Sequence, residues 1–70
     1  MQVTHDPTVD AAYIALRPTE AGEVVENVSI DRPGTGTIVL DFDEAGTLLG
    51  IEIIGAAGLV PREVLVDAEP

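Results

Sequence analysis

The chain of 70 residues carries thirteen acids against three arginines, a formal charge of −10, with one histidine and no cysteine. This length allows a single domain over 1–70, and the absence of cysteine excludes disulfides and thiolate metal sites. A zinc site would have to rest mainly on carboxylates, a poor match to that ion. The charge repels phosphate backbones and anionic bilayers, which sets nucleic acid and membrane aside as partners and favours a basic protein, a cation or a cationic ligand.

Chains this short bury a modest share of their surface, so apolar burial only just offsets the cost of ordering. With disulfides excluded, self-association is the supplement that remains, and a composition 46% hydrophobic suits it, being more than one small core needs. No apolar run reaches the roughly 18 residues of a membrane helix. No leader-like segment precedes the first strand-like residues, so the expected location is the cytoplasm.

In chain order, Gln2 to His5 reads as a short strand stopped by the turn-forming pair Asp6-Pro7. Asp10 to Leu16 reads two ways. As a helix, Asp6 caps, Pro7 sits in the first turn, and Val9, Ala12, Tyr13 and Leu16 share a face. As a strand, Ala12, Ile14 and Leu16 face one way and Ala11, Tyr13 and Ala15 the other; the pattern alone slightly favours the helix. Arg17 to Glu23 is a loop. Val24 to Ile30 alternates and is β-branched, a partly exposed strand with Val24, Glu26, Val28 and Ile30 on one face. Arg32-Pro33-Gly34-Thr35-Gly36 is a turn. Thr37 to Asp43 and Thr47 to Ile54 form the central hairpin at 38–54, with Asp43-Glu44-Ala45-Gly46 between its apolar runs. Beyond Gly55, one helical turn over Ala56 to Val60 and a second opened by Pro61 are expected, although Val64 to Val66 fits a strand equally well. Asp67 to Pro70 is expected to fray.

The hairpin admits two registers. A three-residue loop Glu44-Ala45-Gly46, with glycine in a left-handed bulge, pairs Phe42 with Leu48 and Leu40 with Gly50. A two-residue turn Ala45-Gly46 pairs Phe42 with Leu49 and Leu40 with Ile51. In both, bulky apolar residues fall on the two faces of the hairpin, whereas a sheet wetted on one side alternates more cleanly. A cover for the second face is therefore expected, from the C-terminal segment or another subunit, and a homodimer is favoured.

Two motifs, Asp6-Pro7-x-x-Asp10-Ala11-x-Tyr13-Ile14-x-Leu16 and Leu40-Asp41-x-Asp43-x-x-Gly46-x-Leu48-x-Gly50-Ile51-Glu52-Ile53, span about half the chain. In order and in chain size they resemble the small bacterial domain-of-unknown-function family 2283. The resemblance implies a compact, mainly antiparallel β domain with a short helix, which tips Ala11 to Leu16 toward strand. It brings no assigned activity and no catalytic residues to carry over. As the family is described, some members are encoded near small toxin-like proteins, which implies an antitoxin-like binder as one form of partner. His5 stands where the family usually has an aromatic such as tyrosine, which argues against a catalytic histidine. The fold class expected is α+β, mainly β: a small antiparallel sheet, a meander of four or five strands around the central hairpin, and a short C-terminal helical segment.

The carboxylates are the candidate site residues. Asp41-x-Asp43-x-x-Gly46-x5-Glu52 matches a calcium loop at positions 1, 3, 6 and 12, but Ala45 and Leu49 replace oxygen ligands and the flanks are strands. Asp6, Asp10, Asp41 and Glu52 form the more interesting set. Asp6 and Asp10 flank one turn, and Asp41 and Glu52 lie inside apolar strands, where a carboxylate is either solvated or paired. Arg17, Arg32 and Arg62 are the cationic side chains available, and backbone N–H groups of the turn can cap Asp6 or Asp10. His5 and Asp6, adjacent in a strand, point to opposite faces and do not form a base–acid pair. Ser29 lacks a nucleophile elbow, and no glycine run with a lysine makes a phosphate loop. The expected function is a non-enzymatic, acidic, homodimeric interaction module binding a basic partner protein, with no cofactor. The alternative is a small protein binding a metal or cationic ligand through the four clustered carboxylates.

Overall fold

Five segments of alternating residues form strands, β1 (Gln2–Asp6), β2 (Ala11–Ala15), β3 (Glu26–Arg32), β4 (Gly36–Phe42) and β5 (Leu48–Ile54). Two short helices follow, α1 (Ala56–Leu59) and α2 (Arg62–Val66). The structure is a computed structural model and describes residues 1–70. The strands make one antiparallel sheet in the order β1-β2-β5-β4-β3. The mainly β fold with a helical C-terminal segment is the expected one. Its strands run as two local units, the β1–β2 hairpin and the β3–β4–β5 meander, joined along β2 and β5. Residues 11–15 take the strand conformation because β1 and β5 satisfy the backbone on both sides, and the alternation puts Ala12 and Ile14 on the core side.

The central hairpin combines the two registers read from the sequence. The Gly46 N–H donates to the Asp43 carbonyl (3.0 Å), the Asp43 N–H donates to the Thr47 carbonyl (3.0 Å), and Gly46 has φ 83°. This is the three-residue loop, and Phe42 faces Leu48 as it requires. Leu40 nevertheless faces Ile51, because Leu49 is an extra residue in β5 at a β-bulge between the pairs of Asp41 and Phe42. The slip corrects the expectation of two apolar faces. Leu49, Ile51 and Ile53 all join Ile38 and Leu40 on one face, and only Val39 and Ile54 remain as large apolar residues of the hairpin on the other. That second face is polar and needs no apolar cover.

The C-terminal segment covers part of the apolar face. Ala12, Ile53 and Ala56 form the buried core, with Ile14, Ile51, Leu59, Val60 and Leu65 packed against it. Leu49 is the one large side chain with no exposure. Toward β4 and β3 the cover runs out, and every residue of β3 is exposed. Val64 to Val66 is helical, with the Val64 N–H donating to the Pro61 carbonyl (3.0 Å). Asp67 to Pro70 does not simply fray. The His5 N–H donates to the Glu69 carbonyl (2.7 Å), the Glu69 N–H donates to the Val3 carbonyl (2.9 Å), and the Gln2 amide donates to the Glu69 carboxylate. One backbone bridge, parallel between Thr4 and Glu69, thus caps the β1 edge. No helix is long and apolar enough to cross a membrane.

Candidate functional site

The polar face carries a side-chain network that spans three strands. Tyr13 lies on β2, and its hydroxyl donates to Asp41 Oδ2 on β4 at 3.0 Å. The Asn27 side-chain amide on β3 donates to Asp41 Oδ1 at 2.6 Å. Between Tyr13 and Asp41 runs β5, and the residue there is Gly50, which faces Asp41 directly. A Cβ at Gly50 would lie 2.0 Å from the Tyr13 hydroxyl oxygen and 2.5 Å from its ring Cζ. Glycine leaves the space through which the ring crosses the strand. Burial, first, and then the hydrogen bond to Asp41 and the charges of Asp41 and Glu52 raise the Tyr13 pKa, so the phenol holds its proton at neutral pH. The network therefore presents a fixed donor and a satisfied carboxylate.

Asp10 performs a second linking task. It sits in the β1–β2 turn at φ 50°, a left-handed conformation that Asp and Asn tolerate better than most residues. Its carbonyl accepts the N–H groups of Gly55 (3.0 Å) and Ala56 (3.1 Å). Its carboxylate accepts the Ala57 N–H at 3.1 Å and lies 3.1 Å from His5 Nε2. One residue thus ties the first hairpin to the start of the helical segment. Asp6 accepts the Thr8 N–H at 2.9 Å and caps the same turn. Asp43 does likewise in the central loop, accepting the N–H groups of Ala45 and Thr47, each at 2.9 Å. His5 therefore meets Asp10, five residues on, and not its neighbour Asp6.

Hydrogen bonding to His5, then to the Ala57 amide, holds the Asp10 carboxyl below the usual carboxylate range. Arg17 bonds Glu23 at 2.8 Å in the loop from β2 to β3, and this pairing lowers the Glu23 pKa to about 2. A carboxyl depressed in the folded state contributes stability that is present above its unfolded pKa and lost as pH falls through the folded value. Stability is accordingly expected to fall from about pH 4 toward about pH 2. Asp10→Asn should be less stable than wild type at pH 7, with the gap narrowing as pH falls through that window. Urea midpoints measured at neutral and acid pH check this, and a gap independent of pH would contradict it.

The structure does not gather the four candidate carboxylates. Asp6 and Glu52 border an open depression of about 350 Å³ with Thr4, His5 and Tyr13, whereas Asp10 and Asp41 lie outside it. Asp10 faces the helical junction, and Asp41 is held by Tyr13 and Asn27. No group of three His, Asp or Glu residues is placed to hold a metal ion. Asp43 and Glu52, the third and twelfth positions of the calcium-loop match, sit at the hairpin tip and within β5, respectively. Of the three arginines only Arg17 forms an ion pair, and its partner is Glu23.

Asp6, Asp10, Tyr13, Asp41, Asp43 and Gly50, which do most of this structural work, belong to the two motifs, and the family model for a protein of unknown function, DUF2283, matches residues 2–56. The chain belongs to this family. No curated protein and no solved structure matches it. The match ends where Asp10 holds the segment, at Gly55 and Ala56, so the DUF2283 region comprises the whole sheet and its first helical residue. Sequence reading passed over Tyr13 and Asn27 as partners of Asp41. The available signal was parity, since each lies on the polar face of its own strand, together with a glycine in the middle of a strand.

Proposed function

We propose that this chain is a non-enzymatic, acidic interaction module of the cytoplasm that acts as a homodimer and binds a basic partner protein. The observation that supports it is the charge: thirteen acids, of which only Glu23 has an arginine partner. A small protein with that excess attracts a basic surface over several ångströms and discriminates against acidic ones. The non-enzymatic part of the reading is supported by Asp6, Asp10, Asp41 and Asp43, whose carboxylates are engaged in turns and cross-strand bonds. A small toxin-like protein, to which the chain would be the antitoxin-like member, is the most concrete partner.

The test is a native mass spectrum of the protein purified from its host without chelator, followed by titration of any retained basic chain at rising salt. The expected result is a complex of this chain with a basic protein, weakening at least ten-fold as the Debye length shrinks from about 10 Å at 0.1 M salt to about 3 Å at 1 M. Bare chain, or a complex indifferent to salt, would overturn the proposal.

A further inference from the structure

The two edges of the sheet are treated differently. The Glu69 bridge covers β1, whereas β3 presents seven exposed residues, Glu26 to Arg32, with nothing paired along its outer side. Natural sheets blunt such an edge with charged side chains, lysine above all, or with proline, a bulge or a covering loop. β3 has no lysine, proline or bulge; its charges, Glu26, Asp31 and Arg32, lie toward its ends, and between them it carries Val28 and Ile30 at 39% and 43% exposure. We propose that β3 pairs antiparallel with β3 of a second copy across a two-fold axis at Ser29, making one continuous ten-stranded sheet.

The register follows from the sequence of the strand. Antiparallel pairing sets residues of like backbone orientation opposite each other, so a self-paired strand has its axis at a residue and never between two. With the axis at Ser29, Glu26 faces Arg32 of the second copy and Arg32 faces Glu26. Val28 faces Ile30 in both senses, and Asn27 faces Asp31. Opposite charges close both ends, and the apolar pair lies between them, the combination that stabilises cross-strand neighbours. With the axis moved to Val28 or Ile30, Glu26 or Arg32 faces an isoleucine or a valine and its charge is unmatched. Neither Glu26 nor Arg32 has an ion-pair partner within its own chain. Six residues apart on one strand, they cannot reach each other there. A second copy is the occupant that satisfies both at once.

This inference rests on the homodimeric interaction-module reading but is tested without any basic partner, so the two can fail separately. Sedimentation equilibrium of the full chain is expected to show a dimer. Glu26→Arg sets an arginine opposite each Arg32, and Arg32→Glu sets a carboxylate opposite each Glu26, two like-charge pairs per dimer in either case, so each variant alone should dimerise roughly ten-fold or more weakly. Mixed in equal amounts, the two variants restore both attractive pairs and should recover the wild-type affinity as a heterodimer. The combined Glu26→Arg, Arg32→Glu variant should do the same as a homodimer, which controls for folding. The chain has no cysteine. Ser29→Cys therefore supplies a single thiol that lies about 5 Å, Cα to Cα, from its own copy, within disulfide reach, and oxidation should link the pair. Asn27→Cys, offset from its copy, should stay unlinked. A monomer at every concentration reached overturns the inference. So does a dimer unmoved by both charge reversals, which would place the contact on the uncovered apolar face around Ile38 and Leu40, or oxidation that links position 27 as readily as 29.

Discussion

Gly36→Ala is expected to destabilise the fold by ~3 kcal/mol or more, at the upper end of what forced overpacking costs. A Cβ at this position would lie 1.9 Å from the Ile54 carbonyl oxygen, 3.0 Å from its carbon and 3.2 Å from the Gly55 Cα. All three are backbone atoms, so no rotamer change relieves the clash. Ile54 is also poorly able to retreat, since Ile53 and Ala56 on either side are core residues. The N–H groups of Gly55 and Ala56 are in addition fixed to the Asp10 carbonyl. A chain of this length has a total stability of roughly 3.5–10 kcal/mol, so the substitution removes a third of it or more. Thermal unfolding followed by circular dichroism should show Tm lower by more than about 10 °C, or no folded baseline. A shift within about 3 °C would mean that the approach of β4 to the end of β5 is looser than described.

Gly50→Ala should change sign with its surroundings. In the wild-type background the new methyl displaces the Tyr13 ring, breaks its hydroxyl bond to Asp41 and costs ~1–2 kcal/mol. The obstacle is the far end of a side chain, so the ring swings away and the strand itself survives, which is why the cost is below that at Gly36. In a Tyr13→Ala background the space over β5 is open. Alanine should then be more stable than glycine by ~0.5–1 kcal/mol, through the lower entropy of the unfolded chain and better strand propensity. The double-mutant cycle accordingly gives a coupling of ~1.5–3 kcal/mol, large for an exposed face of a sheet. Chemical denaturation of the four proteins measures it, and additive effects would remove the crossing of Tyr13 over Gly50 as the reason for the glycine.

Local features of the fold were legible in the residues. Alternation marked β3, apolar runs on either side of a polar break marked β4 and β5, Asp6-Pro7 marked the end of β1, Pro33-Gly34 marked the first tight turn of the meander, and Asp43 to Gly46 marked the second. What escaped depended on distant partners. Leu48 and Leu49 are identical to any hydrophobic pattern, so nothing in the sequence says that β5 holds an extra residue there, and the presence of that bulge decides whether Ile51 and Ile53 fall on the core face. Ala11 to Ala15 fits two periods, and the decision is made by strands far along the chain at 48–54. The order of the tail has no sequence signature because Glu69 pairs through its backbone, which leaves no trace in side-chain chemistry. The link from Tyr13 through Asp41 to Asn27 was hidden for the same reason as the register. Each partner was visible on its own strand, but their alignment across β5 was not.

The central position of β5 has a consequence for how the chain acquires its structure. It is the last strand synthesised, yet it is the only element that joins the two halves of the sheet. Until residue 54 is available, β1–β2 is an isolated two-stranded hairpin, marginal in water, and β3–β4 is another. Ala12 then lacks Ile53, and Leu49, the most protected side chain, does not yet exist. Assembly therefore waits on contacts some 40 residues apart in sequence, between 11–15 and 50–54. It should proceed as one concerted step that begins only once β5 has been made.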